Sequence, residues 1–146
     1  MKKRILIFTV MSILFIGCSS DDSGSLPINE ENLLGRWYFK GSTLDNGPFE
    51  SYQDDCPASK NYMEILNTHD LKYYTHGTDC ILSLVSSHTW TLNENHFTTV
   101  RHDPTVTAPN FFTILKITEE ELVLKIDTYP VSPAQKETYK YYYIKN

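Results

Sequence analysis

From Asn32 onward the chain never sustains a helical period. Apolar and polar residues instead alternate in short runs, each closed by turn residues, and a period of two is the signature of strands with one buried face. In residues 36–43, Trp37, Phe39 and Gly41 share one face and Arg36, Tyr38 and Lys40 the other. Asp45-Asn46-Gly47-Pro48 ends that run as a turn cluster. Further runs fall at 62–67, 71–76, 88–92, 96–102, 110–117, 121–129 and 136–145. The stretch 77–87 reads ambiguously, and 104–109 and 130–134 read as loops. The spacing therefore predicts eight strands, mostly joined by short turns, which suits an all-β, antiparallel up-and-down barrel. A barrel of that size has an interior that side chains fill or share with one small ligand.

Composition supports a single packed domain. The chain has 146 residues, 40% of them hydrophobic, with ten Tyr, seven Phe and two Trp. That is enough apolar material for one core and too much for a disordered chain. The net charge is −5. No basic patch stands out, which argues against a nucleic-acid partner.

The N-terminus reads differently. Met1-Lys2-Lys3-Arg4 is basic, and residues 5–16 form an uncharged apolar stretch. Twelve residues are too few to span a bilayer as a helix and the right length for a secretory signal. The stretch ends Leu14-Phe15-Ile16-Gly17-Cys18. This resembles the lipobox of bacterial lipoproteins, which implies cleavage before Cys18 and lipid on its thiol and new amino group. Several acyl chains at about 0.8 kcal/mol per buried CH₂ hold a protein on a membrane. The expected organisation is a signal peptide at 1–17, a lipidated flexible tether at 18–30 and the barrel at 31–146. Ser19-Ser20-Asp21-Asp22 is similar to the Ser-plus-acidic signal that sends some Gram-negative lipoproteins to the outer face of the outer membrane. The expected location is therefore the outer membrane, lipid-anchored and facing the cell exterior.

With Cys18 assigned to lipid, Cys56 and Cys80 remain. An exported chain meets an oxidising compartment, where two leftover cysteines most simply pair. A zinc site would need more ligands at tight spacing, and His76 and Asp79 near Cys80 do not supply it.

Leu33-Leu34-Gly35-Arg36-Trp37 opens the first run. Gly35-x-Trp37 resembles the GxW motif of lipocalins. With the tether before it, the Cys pair, the Thr-Trp-Thr run around Trp90 and the Tyr-rich end, the chain looks like the lipocalin-like lipoproteins of Gram-negative bacteria. The resemblance covers roughly residues 31–146 and implies an eight-stranded barrel, often with a cavity. It carries over two positions, Gly35 and Trp37. It also implies a basic residue packed over the Trp, and Lys145 shares a face with Tyr139, Tyr141 and Tyr143. Candidate lining residues are Trp37, Phe39, Met63 and Ile65 from the first half. Trp90, Leu92, Leu124, Ile126 and Tyr141 complete the set. They either fill the interior or surround a small apolar molecule.

No GxSxG, HExxH, P-loop or paired CxxC is present. His69, His76, His88, His96 and His102 are scattered; a turn at Glu94-Asn95 places His88 opposite Arg101 and His96 beside Asn93. The expectation is a non-enzymatic protein with no catalytic residue, metal or cofactor, which binds or carries a small hydrophobic molecule in its barrel. The alternative is a filled barrel serving as a protein-interaction module of the cell envelope. Its outward aromatics include Tyr38, Tyr74 and Tyr142.

Overall fold

A computed structural model describes residues 24–103, 105, 108–126 and 138–145. The segment 1–17 expected to be a signal peptide, Cys18, the Ser-plus-acidic segment and Asp127–Tyr129 lie outside the described residues.

The described chain begins at one end of a barrel. The Leu26 N–H donates to the Ile117 carbonyl at 2.8 Å. A single helical turn follows, α1 (Glu30–Leu33). The sequence pattern did not announce it, because four residues are too few for a period. Its cause is local: the Asn29 side chain accepts the Asn32 N–H at 2.9 Å, and Glu30 and Glu31 sit in the first turn. The turn presses a fully buried Leu33 into the barrel's end.

Nine strands follow: β1 (Gly35–Leu44), β2 (Glu50–Ser51), β3 (Tyr62–Ile65), β4 (Asp70–His76), β5 (Leu82–Asn93), β6 (His96–Arg101), β7 (Asn110–Ile117), β8 (Glu121–Ile126) and β9 (Tyr139–Lys145). All pairings are antiparallel. The order β1-β3-β4-β5-β6-β7-β8-β9 closes on itself where β9 pairs β1 from Trp37↔Lys145 to Leu44↔Tyr139. Eight strands thus form a closed up-and-down barrel.

The extra strand, β2, is a two-residue pairing on the upper half of β1, Gly41↔Ser51 and Ser42↔Glu50. It lay hidden in what reads as a loop. Gly41 makes it possible: its φ is +152°, and a Cβ there would strike the Glu50 carbonyl and the Phe49 ring. The ambiguous stretch 77–87 is mostly strand, since β5 begins at Leu82 and bulges opposite Tyr73 and Tyr74. The run at 62–67 stops earlier than expected, at Ile65, where Leu66 to Asp70 turns the chain. On β8, strict alternation with the inward candidates Leu124 and Ile126 would turn Val123 outward, yet it is buried at 6% exposure, opposite a register shift between Ile114 and Lys116.

The Glu94-Asn95 turn sets the β5–β6 register as expected: His88 faces Arg101, and Asn93 faces His96. Cys56 and Cys80 form a disulfide. It ties the β2–β3 loop to the β4–β5 turn, at the end of the barrel opposite α1.

Candidate functional site

The barrel interior has two unlike halves. The half next to α1 is filled. Trp37, Ile65, Trp90 and Leu124 pack there with Leu33 and Phe97, each no more than 2% exposed. Leu92 and Ile126 pack against the same cluster. Trp37, Ile65, Trp90 and Leu124 therefore build a floor rather than a cavity wall, and Leu92 and Ile126 do not line the pocket either. Large indole plates leave little room between strands.

Gly35 and Trp37 shape that floor. The Trp37 indole N–H donates to the Leu33 carbonyl at 2.7 Å, which satisfies a buried acceptor at the end of α1. Lys145 lies over the indole, its Nζ 4.9 Å from the ring centroid. Gly35 lets it come close: its φ is +116°, and a Cβ there would sit 3.2 Å from Lys145 Cε.

The other half is hollow. Phe39, Met63 and Tyr141, the remaining candidates, line an open pocket of about 330 Å³. Tyr73 and Thr75 on β4 and Tyr143 on β9 join them, with Tyr52 and Asn61 at the rim and the outward-row residues Tyr62 and Tyr74 completing the lining. Alternation explains the inward set: Leu71, Tyr73 and Thr75 share one face of β4, as Tyr141 and Tyr143 do on β9. Phe39 lies 5.7 Å from the Tyr141 ring centroid, 5.4 Å from Tyr143 and 5.0 Å from Tyr52, all tilted or edge-on.

Asn61 organises the rim. Its side-chain carbonyl accepts the His76 N–H at 2.7 Å, and its Nδ2 donates to the Tyr52 hydroxyl at 2.8 Å. Its backbone N–H donates to Asp54 at 2.7 Å. Asn61 thus ties the loop at Asp54 and Tyr52 to β4 at His76, whose own Nδ1 is buried without a partner among the described residues.

The tyrosine hydroxyls inside are different. Those of Tyr73, Tyr141 and Tyr143 make no hydrogen bond to a described residue, and they lie near enough to sense one another's charge. Burial pushes the Tyr73 phenol up to about 12 and raises Tyr143 well above its ordinary value. Both stay protonated at any physiological pH. Sequence reasoning missed Tyr52, Asn61, Tyr62, Tyr73, Thr75 and Tyr143, and it placed Tyr74 outward only, although Tyr74 also borders the pocket. The inward positions of Tyr73 and Tyr143 were readable from alternation with Leu71 and Tyr141. Tyr52 and Asn61 gave no signal, because a loop delivers them.

A wider hollow of about 520 Å³ lies on the barrel's exterior between Lys40, Lys116 and Glu121. Lys116 and Glu121 pair there at 2.7 Å, and it is a surface groove rather than an enclosed site.

The histidines do not converge on a centre. His69 stacks on Trp90, His102 meets the Thr89 hydroxyl, and His88 lies against Tyr73 and Ser86. Among the described residues, no three His, Cys, Asp or Glu side chains are grouped to hold a metal ion.

Among solved structures, the chain is similar to a lipocalin-like protein from Bacteroides uniformis ATCC 8492. They share 12% identity at a TM-score of 0.57, over 79% of this chain and 99% of that one. It is also similar to an uncharacterized protein from Bacteroides eggerthii DSM 20697, at 9% identity and a TM-score of 0.57, over 77% and 98% of the two chains. At these identities the likeness speaks for the fold. No curated protein matches the sequence. The sequence profile of the lipocalin-like domain matches residues 33–124, from the buried Leu33 into β8. The chain belongs to the lipocalin-like domain family.

Proposed function

We propose that this protein binds or carries a small hydrophobic molecule in the upper half of its barrel, while lipid on Cys18 holds it to the outer membrane facing the cell exterior. It performs no chemistry on its ligand. The observation that carries the binding reading is the 330 Å³ aromatic pocket above a filled floor. Its volume falls at the small end of ligand sites, and its lining of rings with a few polar groups is what such sites use. The family's fold is one that typically holds small hydrophobic molecules. The anchor reading rests on the apolar run that ends at Gly17-Cys18.

The binding test uses the mature chain from residue 18 carrying Cys18→Ala, exported behind an ordinary cleavable leader. Organic extraction and mass spectrometry should recover a stoichiometric apolar compound from its native host. An empty extract counts against carriage. For the anchor, labelled palmitate should enter the wild-type protein and not the full-length Cys18→Ala chain. Protease added to intact cells should remove the wild-type barrel; full protection argues against display on the exterior.

One observation favours a second role. Ile81, Leu82, Leu84 and Val85 are all more than two-fifths exposed near the start of β5. Leu84 continues an outer row with Tyr74, Tyr62 and Tyr38 across four strands. Such a stripe fits the protein-interaction module. Leu82→Ser with Leu84→Ser should abolish any such association and leave pocket binding intact.

A further inference from the structure

The pocket's walls narrow the choice of ligand. Aromatic rings stand on several sides: Phe39 on β1, Tyr73 on β4, Tyr141 and Tyr143 on β9, and Tyr52 at the rim. The quadrupole of a ring favours offset or edge-on contact with another ring, so a flat aromatic guest meets several walls at once. None of the lining residues is Asp, Glu, Lys, Arg or His. A ligand carboxylate or ammonium would lose its water there and find no counter-charge.

The three inner hydroxyls add direction. Asn61 is bonded at the rim through its backbone N–H and both side-chain groups, whereas Tyr73, Tyr141 and Tyr143 donate to no described residue. Burial keeps Tyr73 and Tyr143 protonated. A protonated phenol in an apolar pocket offers a donor, and leaving it unmatched against a buried guest is unfavourable. The complementary group is an uncharged acceptor. Depth sets a limit as well, because Trp37 and the packed layer beneath close the floor, and a long acyl chain can extend only back out through the mouth.

We infer that the pocket selects a neutral, planar aromatic molecule of two or three rings that carries a hydrogen-bond acceptor such as a carbonyl, in preference to an acyl chain. The inference rests on the carrier reading above and specifies its ligand class. The acceptor sits among the Tyr73, Tyr141 and Tyr143 hydroxyls, and the rings lie against Phe39.

Three probes separate the ideas in calorimetric titrations of the mature chain with Cys18→Ala. Coumarin has two rings and a carbonyl; naphthalene has two rings and no acceptor; octanoate has an acyl chain and a charge. Coumarin should bind at least tenfold more tightly than naphthalene, and octanoate more weakly than either. Tyr73→Phe with Tyr141→Phe should bring coumarin down to the level of naphthalene. Unchanged naphthalene binding in that variant shows that the pocket is still folded. Octanoate binding as tightly as coumarin overturns the inference and leaves carriage standing. A coumarin preference that survives both substitutions does the same. Failure of all three probes, together with an empty extract, overturns the carrier reading as well.

Discussion

Removing the Cys56–Cys80 bond should weaken the fold and leave the pocket in place. The bond closes a loop of 24 residues in sequence. Cross-linking a chain of that span removes about 11.6 cal/mol/K from the unfolded ensemble, or about 3.4 kcal/mol at 25 °C. A domain of this size then loses about 13 °C in Tm. The native loop has other fastenings. Asn61 bonds to His76, Tyr52 and Asp54, and β2 pairs with β1 at Gly41 and Ser42. The double variant Cys56→Ala, Cys80→Ala should therefore melt about 13 °C lower and still bind an aromatic probe with unchanged affinity at 20 °C. Calorimetric melting and titration on the same sample read both quantities. An unchanged Tm would refute the unfolded-state argument. Binding that collapses in a chain still folded at 20 °C would show that the disulfide, and not Asn61, holds the rim.

The complementary change is Asn61→Ala, which strips both side-chain bonds, to Tyr52 and His76, from a nearly buried residue and keeps the backbone bond to Asp54. It should cost about 1–3 kcal/mol in urea unfolding and weaken probe binding where the disulfide variant does not. Lys145→Met keeps an apolar stem over Trp37 and removes the charge, so stability should fall by about 0.5–1 kcal/mol. Tyr73 ionises near 12 when folded and near 10 when unfolded, so its contribution is complete below pH 10. It should then fade by about 1.4 kcal/mol per pH unit as pH rises toward 12; a stability profile flat from pH 9.5 to 11.5 contradicts this. His88 runs the other way: burial first, then the nearby Arg101 and His102, hold its pKa below 6.5. Its share of stability is present above pH 6.5 and lost as pH falls below it, so His88→Gln should flatten the urea midpoint between pH 7 and 5.

The barrel was legible because each strand carries its own period. Trp37, Met63, Ile65, Trp90 and Leu124 were placed inward by alternation alone, and each is essentially buried. The β5–β6 register followed from one turn. What escaped was short or irregular. Neither α1 with four residues nor β2 with two can show a period; a local cap forms the first, and pairing with β1 forms the second. The early part of β5 escaped for another reason. Ile81, Leu82, Leu84 and Val85 are apolar yet exposed, so no polar face marks the alternation.

The site was half legible, and the chemistry of tyrosine explains where reading stopped. Apolar residues at inward positions say that an interior exists, not whether it is full. Filling depends on side-chain volume summed across facing strands, which requires register. Once the register is known, the two tryptophans fall on the α1 side with Leu33 and Phe97, and they close that half. The opposite half receives Phe39, Met63 and tyrosines. A tyrosine cannot fill a dry core cheaply, because its hydroxyl needs a partner there. Tyr73, Tyr141 and Tyr143 all point inward without one among the described residues. An interior meant only to be packed would more simply carry Phe or Leu at those positions. Three phenols around open space make sense when something with an acceptor enters it, and that is why the hollow half, rather than the aromatic count, carries the functional argument.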